Sequence, residues 1–345
     1  MAFTMHSHSG QFCGHAVDTL EQVVQRAIAL GFERIGLSEH MPRAHTRDLY
    51  PEERGDGHDL DGKLAGLAAR YDAYLVEAVR LRDAYKDNIH ILIGFEGEWI
   101  YGANDDGKRI KALAEHPDVD YFIGSVHHVG SRGTPIDYDK ATFQEAIDVA
   151  GAKAASTSSS STSISSRSSA TDIVDPEVYL NADYYDQQLE MLQTLHPRIV
   201  GHFDLVRLLS ADPSRDPSTA AGLATLVWPK IQRNLAFVAS YGGWLECNTA
   251  ALRKGLAEPY PGRAIAEAWL KLGGKFTMSD DSHGTAHVAT NYKRGLAFLR
   301  SLGVTKVWTF ERQYTSSSDG TKLKGDLVEK SVSLDDFEKS LKVDE

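Results

Sequence analysis

The chain contains 345 residues, of which 42% are hydrophobic, and its formal net charge is -11 at pH 7. This size allows a substantial buried core, and because α/β barrels often reach this length, we expect one domain over residues 1–345. The acidic balance argues against nucleic acid as a partner, since phosphate backbones are held by clustered Lys and Arg. Chemistry on a small, soluble molecule fits this charge better.

The cysteine content indicates the compartment. Cys13 and Cys247 are the only two cysteines and form no CxxC pair, so a disulfide framework is not expected and a reducing compartment fits. No apolar run approaches the length of a membrane span, and the first residues lack the basic and apolar pattern of a secretory signal. The sequence therefore predicts a cytoplasmic protein without a membrane partner, and it predicts no particular oligomeric state.

Short apolar runs alternate along the chain with longer segments of helical periodicity. The runs predict seven strands, at residues 2–5, 34–37, 89–95, 121–126, 198–202, 243–247 and 275–278, with a weaker candidate at 304–310. Helices are predicted at residues 19–30, 64–85, 142–152, 184–195, 221–240 and 264–272, and Pro229 should kink or split the helix at 221–240. This alternation predicts parallel strands with the helices outside, in an α/β barrel or a doubly wound sheet.

Metal-capable side chains follow almost every predicted strand at its carboxyl end. In chain order they are His6 and His8, His40, Glu96, His127, His202, and Asp281 with His283. Imidazole and carboxylate are ligands that zinc, iron(II) and manganese prefer. A closed barrel brings all of its strand ends to one rim, whereas an open sheet spreads them along an edge. The pattern therefore favours a TIM-like α/β barrel of seven strands with a metal site at one rim.

Residues 154–170 interrupt this order. They are almost entirely Ser, Thr and Ala, a composition too polar and too simple to bury one face against a core. Because the helical pattern before them and the strand pattern after them look ordinary, we predict a disordered surface insertion within the single domain.

A series of motifs resembles, in the same order, that of the PHP (polymerase and histidinol phosphatase) superfamily. They are His6-Ser7-His8, the isolated His15, Ser38-Glu39-His40, Gly94-Phe95-Glu96, Gly124-Ser125-Val126-His127, Gly201-His202-Phe203-Asp204 and Asp280-Asp281-Ser282-His283. Residues 9–15, 124–128 and 248–255 resemble the fungal-type histidinol-phosphatase branch. The resemblance implies a distorted seven-stranded β/α barrel of PHP type. It also implies hydrolysis of L-histidinol phosphate to L-histidinol and phosphate in histidine biosynthesis.

The resemblance further implies up to three divalent metals per chain, as zinc, iron or manganese. It assigns His6, His8, Glu96 and Asp281 to the first metal, Glu96, His127 and His202 to the second, and His15, His40 and His283 to the third. Attack on phosphorus by a metal-bound hydroxide would then need no side-chain nucleophile. The leaving oxygen needs a proton, for which Asp281, His283 and His202 are the candidates.

Substrate contacts are predicted from residues near these ligands. Arg253 and Lys254 follow a strand end and could bind the phosphate, which suits the fork of an arginine. Glu98, Glu39 and Asp204 are the acceptors closest in sequence to the ligands. Each could bind the amine or imidazole of the substrate, or accept the free N–H of a ligating imidazole.

Three other functions remain open. The first is a PHP-family phosphoesterase that acts on another small phosphate ester or on a nucleotide. The second is a metal-binding module without turnover, although such a module would be expected to lack ligands that are all present here. The third is a deaminase-type amidohydrolase, which also uses histidines at a barrel rim but with a different spacing.

Overall fold

A parallel sheet of seven strands forms the centre of the protein. A computed structural model describes residues 1–130, 132–159, 175–313 and 326–342. In spatial order, the sheet contains β1 (Ala2–Thr4), β3 (Phe32–Leu37), β4 (His90–Glu98), β5 (Tyr121–Ser125), β8 (Ile199–Val200), β9 (Trp244–Asn248) and β10 (Lys275–Ser279). Every neighbouring pair is parallel. All seven predicted strand positions fall in this sheet.

The first and last strands of the sheet meet and nearly close it into a barrel. The backbone N–H of Met5 donates to the carbonyl of Met278 at 3.1 Å. Directly beyond, the short strand β2 (Ser7–His8) pairs in parallel with β11 (Ser282–His283). The prediction of a seven-stranded α/β barrel is therefore confirmed, and the closing strands bring the two ends of the described barrel together at the carboxyl rim.

Helices surround the sheet on its outer side. They are α1 (Leu20–Ala29), α2 (Pro51–Arg54), α3 (Leu60–Ala84), α4 (Asp106–Ala114), α5 (Lys140–Ser159), α6 (Pro176–Leu195), α7 (Trp228–Tyr241), α8 (Ala250–Arg253), α9 (Arg263–Lys271), α10 (Tyr292–Ser301) and α11 (Leu334–Ser340). Helix α1 starts at a capping box between Thr19 and Gln22 and buries one apolar stripe, as its sequence period predicts. Among the described helices, none has the length and apolar character needed to cross a membrane.

Proline determines where helix α7 begins. The predicted helix at 221–240 was expected to kink or split at Pro229, and it is split, because the segment before the proline forms a separate π-helical turn at Leu223–Val227. Pro229 then occupies the first turn of α7, where its missing N–H leaves no hydrogen bond unmade. The proline therefore starts a helix instead of bending one.

A hairpin outside the sheet covers the amino ends of the strands. The weaker predicted strand at 304–310 is β12 (Lys306–Gln313), which pairs antiparallel with β13 (Asp326–Ser333). Phe310 of β12 stacks on Trp244 of β9 with ring centroids 4.4 Å apart. Two short strands, β6 (His128–Val129) and β7 (Thr134–Pro135), form a second hairpin at the opposite, carboxyl rim.

Helix α5 runs into the serine-rich segment that the sequence predicts to be a disordered insertion. The helix includes residues 154–159, so the prediction is wrong for this part, because the alanines at its start are strong helix formers that continue the preceding turns. Residues 160–170 lie outside the described residues. The assignment of the whole chain to a single domain stays a prediction.

Candidate metal centre

The carboxylate of Glu96 lies at the centre of a cluster of imidazoles at the carboxyl rim. Its Oε2 atom is 3.3 Å from His6 Nε2 and 3.0 Å from His40 Nδ1. Its Oε1 atom is 3.0 Å from His202 Nε2 and 3.4 Å from His127 Nε2. Glu96 is 1% exposed, so one buried carboxylate faces imidazoles from four different segments of the chain.

In the part of the chain that the structure describes, the metal-capable side chains form four overlapping sets, in each of which the donor atoms lie within 4.8 Å of one another. The sets are His6, His8 and Glu96; His8, Asp281 and His283; Glu96, His127 and His202; and Cys13, His15, His40 and His283. Every residue that the sequence predicts as a metal ligand belongs to at least one set. The structure thus brings all of them together, while their role as ligands stays a prediction.

The backbone at Asp281 aims its carboxylate into this cluster. Asp281 has a φ of 47°, in the left-handed region that is costly for most residues and less so for Asp. This conformation lies between β10 and β11 and places Oδ1 3.4 Å from His8 Nε2 and 3.6 Å from His283 Nδ1. A strained backbone at this point is consistent with a functional carboxylate.

The buried donor atoms fit divalent metals. His6 Nε2 and His8 Nε2 are inaccessible to solvent and make no hydrogen bond to any of the described residues. Leaving a buried polar atom unpaired costs about 1–3 kcal/mol. Both nitrogens point at Glu96 and Asp281 from 3.3 to 3.7 Å, distances suited to donor atoms around a shared ion.

The pKa values in the cluster separate the carboxylates from most of the imidazoles. Burial would raise the pKa of Glu96, but His6 and His127 hold it well below its usual range. Burial lowers the pKa of His127 to about 4. At neutral pH the carboxylate is therefore ionised and His127 is neutral, which are the protonation states that metal ligands need.

Glu246 supports this cluster from behind, and it is a functional residue that the sequence motifs do not indicate. Its Oε1 atom lies 2.7 Å from His6 Nδ1, and its Oε2 atom accepts the backbone N–H of His202 at 2.9 Å. A carboxylate on the outer nitrogen fixes the tautomer and orientation of a ligating imidazole. The sequence feature that could have indicated it is an acidic residue inside the apolar strand β9, on the same side of the strand as Asn248.

Glu98 and Glu39 lie behind the imidazoles rather than at the open rim. Glu98 is 2% exposed, pairs with the guanidinium of Arg43, and has its Oε1 3.4 Å from His40 Nδ1. Glu39 accepts from the backbone N–H and the hydroxyl of Ser9 at 2.8 and 2.7 Å. The position of Glu98 beside His40 is that of a residue that orients a metal ligand, whereas Glu39 anchors the loop that begins at Ser9. The substrate contact of Glu98 stays a prediction.

The predicted phosphate contacts are at the edge of the cluster. Arg253 donates from Nη2 to the carbonyl oxygen of Asp281 at 2.9 Å, so its guanidinium lies next to a predicted metal ligand. Lys254 is exposed, and its charge reaches the Asp281 carboxylate. Asp204 instead pairs with Arg207 and accepts the backbone N–H of Gly262 at 2.9 Å.

Asp137 is a further carboxylate close to the cluster, and no sequence motif indicates it. It follows β7 in the rim hairpin, where the N–H of Ile136 donates to the carbonyl of His127 at 2.9 Å. The Oδ1 atom of Asp137 is buried without a hydrogen bond to any residue that the structure describes, and its charge acts on His127 and on the buried Tyr260. No local pattern distinguishes it from other loop acids.

Comparisons with known proteins agree with this arrangement. Residues 4–250 match the family model of the PHP domain. The chain is 37% identical to a "Probable histidinol-phosphatase" of Schizosaccharomyces pombe, over 90% of both chains. It is 31% identical to the histidinol-phosphatase of Saccharomyces cerevisiae, over 84% of this chain and 85% of that protein.

A solved structure also shares the fold. The histidinol phosphate phosphatase of Lactococcus lactis, complexed with zinc, L-histidinol and phosphate, matches with a TM-score of 0.58 and 18% identity, over 94% of this chain and 98% of that chain. The resemblance predicted from the motifs is therefore confirmed. The chain belongs to the PHP domain family, in the branch that contains the fungal histidinol-phosphatases.

Proposed function

We propose that the protein is a metal-dependent histidinol-phosphatase, which hydrolyses L-histidinol phosphate to L-histidinol and phosphate. The observation that carries the proposal is the position of Glu96, whose buried carboxylate is 3.0–3.4 Å from four imidazole nitrogens at the rim of a PHP barrel. The relatives that match over most of the chain are named for this activity. The cytoplasmic location stays a prediction from the sequence.

The metal complement is part of the proposal. We infer three divalent ions per chain, with zinc, iron(II) or manganese as the candidates. The ligands are those that the resemblance implies: His6, His8, Glu96 and Asp281 for the first ion, Glu96, His127 and His202 for the second, and His15, His40 and His283 for the third. When bound, such ions supply Lewis-acid activation of water and neutralise phosphate charge. The related Lactococcus lactis protein contains zinc together with histidinol and phosphate in its crystal structure.

Asp281 is the residue that we propose to move the proton. His283 is a poor proton donor, because its Nδ1 atom faces the carbonyl oxygen of Asp281 at 3.0 Å. If its other nitrogen binds an ion, the ring has no proton left to transfer. The carboxylate of Asp281 takes a proton from the attacking water and passes it to the leaving oxygen of histidinol. His202 remains a ligand in this proposal, buried beneath Glu96.

Charged side chains around the cluster would hold the substrate. Arg253 and Lys254 supply positive charge beside Asp281, on the side where a phosphate would approach the predicted ions. The unpaired Oδ1 of Asp137 is suited to the ammonium group of histidinol phosphate, because a buried carboxylate oxygen without a partner gains strongly from a cation. Glu98, paired with Arg43, orients imidazoles instead.

Phosphate release by purified protein tests the function. With manganese, zinc or iron(II), release from L-histidinol phosphate should be much faster than from p-nitrophenyl phosphate or glycerol phosphate. His8→Ala and Asp281→Ala should abolish the release, whereas His58→Ala, which changes an exposed histidine outside the cluster, should retain it.

Two results would contradict the proposal. Equal rates on all three esters would favour a PHP phosphoesterase with another substrate. Full activity after removal of metals by a chelator, verified by elemental analysis, would exclude metal dependence.

A further inference from the structure

Cys13 lies inside the group of imidazoles that the resemblance assigns to the third metal. Its Sγ atom is 3.2 Å from His15 Nε2, and this nitrogen is 3.3 Å from His40 Nε2. With a ring nitrogen of His283, these donor atoms lie within 4.8 Å of one another. Cys13 is 5% exposed, so its thiol is directed into the cluster instead of solvent.

A turn after β2 fixes the thiol at this place. The backbone N–H of Cys13 donates to the carbonyl of Ser9 at 2.8 Å, and the N–H of Ala16 donates to the carbonyl of Cys13 at 3.3 Å. Ser9 is itself anchored by the buried Glu39. The thiol and the imidazole of His15 are therefore presented side by side by a hydrogen-bonded loop.

The orientation of two imidazoles leaves a space between their Nε2 atoms and the sulfur of Cys13 that suits a cation. His15 Nδ1 lies 3.3 Å from Glu52 Oε1, and His40 Nδ1 lies 3.0 Å from Glu96 Oε2. In both rings Nδ1 lies beside a carboxylate while Nε2 faces the cluster, so the two Nε2 atoms are placed to act as electron-pair donors to one ion. The S–H of Cys13 can donate to only one of them. An ion between the donors would satisfy both nitrogens and the sulfur.

The spacing and the charge of the donors also fit a tetrahedral site. Zinc–nitrogen and zinc–sulfur bonds of tetrahedral sites place neighbouring donor atoms about 3.4–3.6 Å apart. The separations of 3.2 and 3.3 Å around His15 Nε2 are close to this edge. The set contains no carboxylate, so a thiolate is the only anionic charge that its own members could supply.

We propose that Cys13 is the fourth protein ligand of the third metal site, with His15, His40 and His283. The thiol binds as a thiolate, and its proton is released to solvent. The proposal rests on the proposed metal-dependent function and adds a preference, because a soft sulfur ligand favours zinc, iron(II) or cobalt(II) over manganese at this site.

Spectroscopy of the cobalt(II)-loaded protein tests this ligand without relying on activity. Wild type should develop a near-ultraviolet band from thiolate-to-cobalt charge transfer, and Cys13→Ser should lose it. Cys247→Ala removes the other cysteine, which is buried in β9, and should keep the band. In the wild type, metal loading should also slow alkylation of Cys13 by iodoacetamide, as followed by mass spectrometry of the peptide. Cys13→Ser should bind the third cobalt about 10–100-fold more weakly.

The outcomes distinguish this ligand from the proposed function. Three bound cobalt ions without a charge-transfer band in wild type, or a band that persists in Cys13→Ser, would overturn the role of Cys13 and leave the phosphatase proposal intact. Unchanged alkylation on loading would also overturn it, and this measurement needs no variant to fold. A wild-type protein that takes up no metal would overturn both.

Discussion

Glu246 accepts a hydrogen bond from the outer nitrogen of His6, with 2.7 Å between Oε1 and Nδ1, and thereby fixes which nitrogen of His6 faces Glu96. Burial alone would lower the pKa of His6, but the carboxylates of Glu246 and Glu96 raise it well above its usual range. The same carboxylate of Glu246 holds the backbone of His202. One residue behind the rim thus positions two predicted ligands.

Replacement of this support should weaken metal binding without removing a ligand. Glu246→Gln keeps the shape of the side chain but removes its charge, and we expect metal affinity at the His6 site to fall about 10–100-fold. Metal titration followed by calorimetry measures the change. Glu267→Gln, an exposed site on α9, is the matched control and should leave the affinity unchanged. Equal affinities of Glu246→Gln and wild type would contradict the positioning role.

Loss of the central carboxylate should have a larger effect. Glu96→Gln removes the charge that faces four imidazoles, so we expect phosphate release to fall on the order of 10³-fold or more. Elemental analysis should find loss of both ions that the resemblance predicts to share Glu96. A variant that keeps its full metal content would refute the bridging position.

Asp137 should affect substrate binding more than turnover. In Asp137→Asn the ammonium of the substrate loses its charged partner, a contact worth about 1.5–3 kcal/mol, so KM should rise about 10–100-fold while kcat changes little. Steady-state kinetics on L-histidinol phosphate measures both constants. Asp139→Asn changes an exposed acid two positions further along and should leave KM as in wild type. An unchanged KM in Asp137→Asn would count against this contact.

The depressed pKa of His127 predicts a defined pH dependence for the metal-free protein. Burial holds the pKa of His127 in the folded protein at about 4, whereas the pKa of a histidine in an unfolded chain is about 6.5. Between these values unfolding takes up a proton, so stability from the neutral His127 is complete above pH 6.5 and is lost as the pH falls towards 4. The free energy of unfolding, measured with urea, should fall by about 3 kcal/mol more in wild type than in His127→Gln across this pH window. If the free energies of unfolding of the two proteins change with pH in the same way, the pKa of His127 is not lowered by burial.

The hairpin of β12 and β13, at the amino ends of the barrel strands, should contribute to stability and not to metal binding. Phe310 is 1% exposed and stacks on Trp244, so Phe310→Ala should lower the free energy of unfolding by about 3–5 kcal/mol. Val328→Ala, at an exposed position of β13, should change it by less than about 0.5 kcal/mol. Urea unfolding followed by tryptophan fluorescence measures both. Metal stoichiometry should be the same in the two variants, and its loss in Phe310→Ala would show coupling between the two barrel ends.

Local sequence patterns predicted the barrel strands and the side chains that gather at the rim, because both are properties of single segments. An apolar run followed by His or Asp predicts a strand that ends at a rim, and the family motifs select His127 over its neighbour His128. The partner strand Asp326–Ser333 was not predicted, because it alternates polar residues and buries few side chains. Its strand conformation depends on pairing with β12.

Residues whose role depends on contacts between distant segments could not be predicted from the sequence. Glu246 looked like one acid in a core strand, and Cys13 looked like an isolated thiol, since their partners His6 and His40 are brought to them only by the folded barrel. Asp137 likewise owes its position to the pairing of Ile136 with the backbone of His127. Neither hydrophobic periodicity nor composition predicts these tertiary contacts.

Closure of the barrel by β2 and β11 has a consequence for biosynthesis. The hydroxyl of Thr4 bonds to the carboxylate of Asp280 across 276 positions, and His8 meets His283 only when these segments pair. A nascent chain emerging from the ribosome therefore holds no complete donor set that includes His283 until most of its length has been translated. A metal site that uses His283 is thus completed by the last strands of the barrel to be synthesised, and not by the first.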